Sequence, residues 1–212
     1  MLFHSVWLVL FIAANVNILG LPCRTYKVKS GDTLSAICQS NAKAEFVAQL
    51  NGVDPWALQI GRILYLPTNW SACQNFTPLP KYLPERKSEK KFTLIVLSQE
   101  LLGMYESGRL IRWCRITPGK VDHPTPTGLF RIQWKDLDHE SNLHFDRHGR
   151  PLQMPYGVNI GDEYWIHKGT MPGYADSHGC VRLRNLDASF YYDWALTGSS
   201  VYICSFFPSN RP

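Results

Sequence analysis

From Asn69 to Lys91 the chain turns to proline, lysine, glutamate and serine, ending in Pro84-Glu-Arg-Lys-Ser-Glu-Lys-Lys91. Little of such a stretch can be buried and its prolines stiffen it, so residues 69–91 read as a semi-extended linker. The 212 residues suffice for one large domain or two smaller ones, and the break favours a small module before it and a larger one after it. Asn69-Trp-Ser71 and Asn75-Phe-Thr77 within it match the glycosylation sequon, which matters only in a eukaryotic secretory pathway.

Ahead of the small module, residues 1–21 are apolar and short for a membrane span, and read as an export signal. No Lys or Arg precedes the apolar run, and an uncleaved N-terminal anchor is the alternative. Pro22 before Cys23 speaks against lipidation. Export makes the six cysteines candidates for one or two disulfides. Cys23 and Cys73 flank a compact segment and could staple it, whereas Cys38 sits on an apolar helical face. The net charge of +5 and pI near 8.9 favour anionic surroundings such as nucleic acid, membrane surface or cell-wall polymer. An RNP motif, zinc-finger spacing and a sustained basic helix are all missing, so nucleic acid is not the expected partner.

Residues 24–68 carry two short strands around two short helices. Tyr26-Lys-Val28 alternates, Ser30-Gly31-Asp32-Thr33 hands a turn to a helix cap, and Asn51-Gly52 stops a second helix. Ile60-Gly-Arg-Ile63-Leu64-Tyr-Leu66-Pro67 closes the module. This βααβ order, with Tyr26-x-Val28-x-x-Gly31-Asp32-Thr33-Leu34, Asn51 and Ile63-Leu64-x-Leu66-Pro67, resembles the LysM module. The resemblance implies binding of N-acetylglucosamine-containing glycans in a groove formed by Gly31, Asp32, Thr33, Asn51, Val53 and Pro55. A plain turn and helix cap is the other role open to Gly31-Asp32-Thr33.

Residues 92–206 read as strand after strand, beginning with the buried run Phe92-Thr-Leu-Ile-Val-Leu97, with one principal helix from Asn185 to Leu196. The predicted class is therefore α+β, a small βααβ module joined to a mostly antiparallel β-sandwich or barrel-like domain. Asp136 to Arg150 is polar and His-rich, but its spacing fits no standard metal-ligand set and a solvated loop or lid is expected.

The chemistry concentrates in Trp165-Ile-His167-Lys-Gly and Ser177-His178-Gly179-Cys180-Val-Arg182. A thiol becomes a good nucleophile once an imidazole takes its proton. Glycine beside it lets backbone N–H groups approach a developing oxyanion. Ile166-His167-Lys-Gly-x-x-Pro172-Gly173-x-x-x-Ser177-His178-Gly179-Cys180-Val-Arg182-Leu183, with Pro124-Thr-Pro126-Thr-Gly128-x-Phe130 and Met154-Pro155-Tyr156 upstream, resembles the YkuD-type L,D-transpeptidase catalytic domain. Thr117-Pro-Gly stands where Ser-Thr-Gly is common in that family.

The resemblance implies Cys180 as nucleophile and His167 as base, with the Lys168 carbonyl orienting the ring. It gives Gly179 and Cys180 N–H groups to the oxyanion hole. His178 tunes the thiol or braces the loop, and Arg182 meets a substrate carboxylate or braces. Ser177, Lys168 and Tyr156 are substrate-side candidates, Tyr156 with packing as its other role. The implied reaction transfers a peptidoglycan tetrapeptide stem, cut at its third residue with D-alanine leaving, to an acceptor amine on a second stem or an envelope lipoprotein. Water as acceptor makes a carboxypeptidase or amidase instead, and a silent wall-binding protein is the remaining alternative. No cofactor or metal is needed, and the expected location is the periplasm or cell envelope.

Overall fold

The structure is a computed structural model that describes residues 15–207. Residues 1–14 of the apolar leader lie outside the described residues, whereas its end, β1 (Asn15–Ile18), pairs antiparallel with β2 (Leu21–Lys27). The Thr33 hydroxyl accepts the Ala36 N–H and starts α1 (Leu34–Cys38). Ser40 caps α2 (Asn41–Asn51), which ends on Gly52 in the left-handed conformation. β3 (Ile63–Pro67) completes the sheet β1-β2-β3. Leu34, Val47 and Leu64 close the module's own core.

The larger part contains β4 (Phe92–Val96), β5 (Leu101–Glu106), β6 (Arg109–Arg115), β7 (Gly128–Arg131) and β8 (Lys135–Asp136). β9 (Glu140–Phe145) and β10 (Pro151–Gln153) follow as a hairpin. β11 (Gly157–Asn159), β12 (Trp165–Lys168), β13 (Val181–Leu183), α3 (Asn185–Trp194) and β14 (Ser200–Cys204) complete it. Two sheets, ordered β6-β5-β4-β14-β7 and β13-β12-β11-β8, form the framework. Ile95, Leu102 and Met104 from one share a core with Val158, Ile166 and Val181 from the other, and Tyr191 and Trp194 of α3 join it. Pairing is mostly antiparallel, but β14 runs parallel to β4 and β12 parallel to β13. Among the described residues no helix is long and apolar enough to cross a membrane.

The segment 69–91 is not a loose linker. Phe92, Leu94, Val96, Leu101 and Tyr105 point away from the first core into a second one, which also holds Leu21, Leu50, Leu79 and Leu83. The segment covers that sheet face: Leu79 and Leu83 are 4% and 3% exposed, and the Tyr105 hydroxyl donates to the Pro80 carbonyl at 3.0 Å. Leu83 N–H and Leu110 N–H bond across to Gly108 and Lys81 carbonyls. Gly103 makes room, since a Cβ there would lie 2.7 Å from Leu79. Each leucine so buried contributes about 1.5–3 kcal/mol.

The small module is docked as well as tethered. Arg184, 1% exposed, donates to Glu45 of α2 at 2.8 Å and to the Val53 carbonyl at 3.2 Å, while its guanidinium also pairs with buried Asp187. Arg112 reaches the same Asp187 at 2.6 Å. Arg62 donates to the Met171 carbonyl at 2.6 Å. All six cysteines are free thiols, contrary to the disulfide expectation. Cys38, Cys114 and Cys23 are buried one in each of the three hydrophobic clusters, and Cys73 packs beside Cys23 without a bond.

Candidate active site

Parallel pairing of β12 with β13 sets Ile166 opposite Val181 and His167 opposite Arg182. Ile166, Val181 and Leu183 are fully buried in the sandwich core. Side chains alternate along a strand, and paired residues share a face. His167 and Arg182 therefore lie on the opposite face from Ile166 and Val181, and Cys180, immediately before β13, stands next to Trp165 on that face. A sequence that needs apolar residues at 166, 181 and 183 for its core thus delivers a histidine and a thiol to one patch.

His167 is 5% exposed, and its Nδ1 meets the Lys168 carbonyl at 2.8 Å. With the proton on Nδ1 donated to that carbonyl, Nε2 keeps its lone pair. Burial pulls the pKa of His167 down to about 4; the Lys168 carbonyl opposes this, and Arg182 and His139 reinforce it. The ring is neutral at pH 7. Burial also pushes the Cys180 thiol up, against the Trp165 backbone and Arg182, which favour the thiolate. Both partners rest uncharged. The thiol donates to the Glu163 carbonyl at 3.7 Å and makes no hydrogen bond to His167, so it must give up that contact before its proton passes to the ring.

The turn before Cys180 is held from both sides. Ser177, 1% exposed, accepts the Gly179 N–H at 3.1 Å and donates to the Cys180 carbonyl. Thr125 donates to the Gly179 carbonyl at 2.8 Å and accepts the Gly119 N–H at 2.8 Å. A peptide whose carbonyl is tied to Thr125 aims the Cys180 N–H the other way, and that N–H bonds to no described residue. Gly179 has φ +113°, and a Cβ there would lie 2.9 Å from Tyr164, so no other residue fits.

Two expectations change as a result. The Gly179 N–H is engaged by Ser177, leaving the Cys180 N–H as the available oxyanion donor of the pair. Ser177 is a buried turn brace and not a substrate contact. Thr125 enters the sequence reading only within the Pro124-Thr-Pro126-Thr-Gly128 motif; its place between two prolines, where a polar side chain must find a local partner, is the signal for its role.

A cavity of about 860 Å³ opens over Cys180. Tyr164 and Trp165 form one wall, and Leu143 and His144 of the β9–β10 hairpin form another. His139 stacks on Trp165 with ring centroids 3.6 Å apart, which holds the hairpin base to the site. His178 also lines the cavity, between His123 and His144 at centroid distances of 4.9 and 4.6 Å. Arg182 is a brace: it donates to Asp176 at 2.9 Å and to Thr170 at 3.4 Å. Tyr156 packs edge-on to Tyr192 at 6.1 Å and lies outside the cavity lining. Lys168 acts through its carbonyl, with its side chain exposed.

The six glycan candidates divide in two. Gly31 and Thr33 are exposed at the first turn, and Asp32 there accepts from Tyr26 at 2.9 Å and from the Lys29 N–H at 2.7 Å. Asn51 instead pins β3 to α2: it accepts the Tyr65 N–H at 2.7 Å and donates to the Val47 and Tyr65 carbonyls. Val53 is 5% exposed in the module core and faces Arg184 through its carbonyl. Neither presents its side chain to solvent. Pro55 is half-buried, and its neighbour Trp56 is 64% exposed, an aromatic platform that the motif reading passed over.

Residues 90–203 match the family model described as L,D-transpeptidase catalytic domain, and residues 26–67 match the LysM domain. No curated protein matches the chain. An L,D-transpeptidase from Xylanimonas cellulosilytica is 21% identical with a TM-score of 0.59, covering 84% of this chain and 97% of its own. An L,D-transpeptidase from Mycobacterium smegmatis is 20% identical with a TM-score of 0.50, over 55% of this chain and 59% of its own. One from Stackebrandtia nassauensis is 23% identical with a TM-score of 0.50, over 57% and 58%. The chain thus spans under two thirds of these last two, and all three show a shared fold.

Proposed function

The chain belongs to the YkuD family of L,D-transpeptidase catalytic domains, and from that membership we propose a cell-wall L,D-transpeptidase acting through Cys180. The observation that carries the reading is the pairing of β12 with β13, which sets His167 and Cys180 on one face of the sheet, with Cys180 lining the cavity. Neutral His167, its tautomer set by the Lys168 carbonyl, has Nε2 free to accept a proton.

The thiol leaves the Glu163 carbonyl, gives its proton to His167 Nε2, and sulfur attacks the carbonyl carbon at the L-centre of the third stem residue. The oxyanion is met by the Cys180 N–H, a contribution on the order of 3 kcal/mol for one such donor. The C–N bond to D-alanine breaks as imidazolium protonates the leaving amine, and a thioester remains. An acceptor amine then attacks, its proton passing to His167, and the tetrahedral intermediate collapses with the proton returned to sulfur. A second stem as acceptor gives a 3→3 cross-link; an envelope lipoprotein lysine gives attachment.

The LysM module would hold glycan at a set position relative to this site, because Arg184 and the shared core dock it. Gly31, Asp32 and Thr33, with Trp56, are its accessible candidates. Substrate location puts the protein in the periplasm or envelope, consistent with the apolar start of the chain.

The test is a digest of peptidoglycan after incubation with the purified protein. Dimers joined 3→3 are expected, and a Cys180→Ala variant should form none. Only shortened monomers would refute cross-linking in favour of trimming.

A further inference from the structure

Around Cys180 the cavity lining contains no lysine or arginine among the described residues. The nearby cations are committed elsewhere: Arg182 to Asp176 at 2.9 Å and Lys120 to Asp122 at 3.3 Å. The lining does contain four histidines, His123, His139, His144 and His178. His139 lies flat on Trp165, leaving three rings as a tilted stack, with His178 inclined 50° to His123 and 36° to His144. That stack joins three separate pieces of chain: the loop after β6, the nucleophile turn and the β9–β10 hairpin. Acyl transfer uses none of His123, His144 or the outer edge of His178.

A stem cut before its terminal D-alanine carries a carboxylate one residue beyond the scissile bond. Wherever the scissile carbonyl meets Cys180, that carboxylate lies within a residue's length of the thiol. A carboxylate taken from water needs a cation or several N–H donors. We propose that the His123–His178–His144 stack is the subsite for the substrate's terminal carboxylate, binding it with uptake of a proton. This rests on the transpeptidase reading and adds the specificity determinant for a free C-terminal acid over an amide.

The charged surroundings set the sign. His178 is held below its ordinary value by burial and by Lys120, His144, His123 and Arg182. Asp122 lies 3.8 Å from His123, and Asp162, Glu163 and His139 share the cavity with Cys180. The empty His178 ring therefore holds a proton less readily than a free imidazole, and an incoming carboxylate supplies the missing counter-charge. Affinity for the acid must rise as pH falls, with no such gain for the amide.

The experiment measures kcat/KM for a soluble tetrapeptide stem as C-terminal acid and as C-terminal amide, between pH 7.5 and 5.5. Effects on His167 or the thiol cancel in the acid-to-amide ratio. For the wild type the ratio should rise roughly tenfold, as expected for linked uptake of one proton over about one unit. In a His123→Gln/His144→Gln variant the rise should be lost. A wild-type ratio that is flat or falls with acid overturns the subsite, while the enzyme reading stands. Should the variant not fold, the wild-type ratio alone decides. If neither peptide is turned over at any pH, the transpeptidase reading is what fails.

Discussion

His167→Ala lowers the rate of Cys180 acylation by about 10²–10⁴-fold at neutral pH, the range for loss of a positioned general base. The size follows from the resting state. Burial keeps the thiol above its ordinary pKa of 9.0, so little thiolate exists at pH 7 without help. Burial likewise holds His167 near 4, so the ring is available as a neutral base through the neutral range. The wild-type rate should therefore be nearly flat through the neutral range. In the variant, deprotonation falls to water and hydroxide, so its rate should climb steadily with pH and close part of the gap as the thiol ionises. Stopped-flow or quenched acylation across pH reads both outcomes. A variant keeping more than about a tenth of the wild-type rate at pH 7 would remove His167 from the role of base.

Arg184→Ala should destabilise the protein by about 3–5 kcal/mol, the usual cost of breaking a buried ion pair by removing one partner. Arg184 and Asp187 are each 1% exposed, and the guanidinium also serves Glu45 and the Val53 carbonyl of the small module. Arg112 remains on Asp187 and places the expected loss toward the lower end. Glu45 and Val53 belong to the other module, so the variant should also loosen the docking. Urea unfolding read by tryptophan fluorescence measures the first effect, and amide exchange over residues 28–67 the second. A loss below about 1 kcal/mol would show that the modules are held by the shared apolar core alone.

The parts of this fold that were legible depend on neighbours in the chain. Thr33 as a cap, Asn51-Gly52 as a stop and the Lys168 carbonyl on the adjacent ring are contacts within a few residues. His167 and Cys180 were singled out by the motif resemblance, and alternation along the paired strands β12 and β13 puts them on one sheet face. Long-range partners decided the remainder. Asn51 looked like a glycan contact until Tyr65, on a strand beyond the loop, took its side chain. Residues 69–91 read as a linker because composition averages over the stretch, while its burial rests on Leu79 and Leu83. Its signal lay elsewhere, in the run Phe92–Leu97, apolar but for Thr93, which implies a strand covered on both faces. The Gly179 N–H was assigned to the oxyanion because proximity in sequence does not reveal that the Ser177 hydroxyl, two residues back, takes that N–H.

Intact mass of the purified protein after incubation with a carbapenem tests the assignment of Cys180 most directly. The wild type should gain the mass of one opened carbapenem, and Cys180→Ala should gain none. An unmodified wild-type protein, or an adduct that persists in Cys180→Ala, would contradict acyl transfer through this thiol.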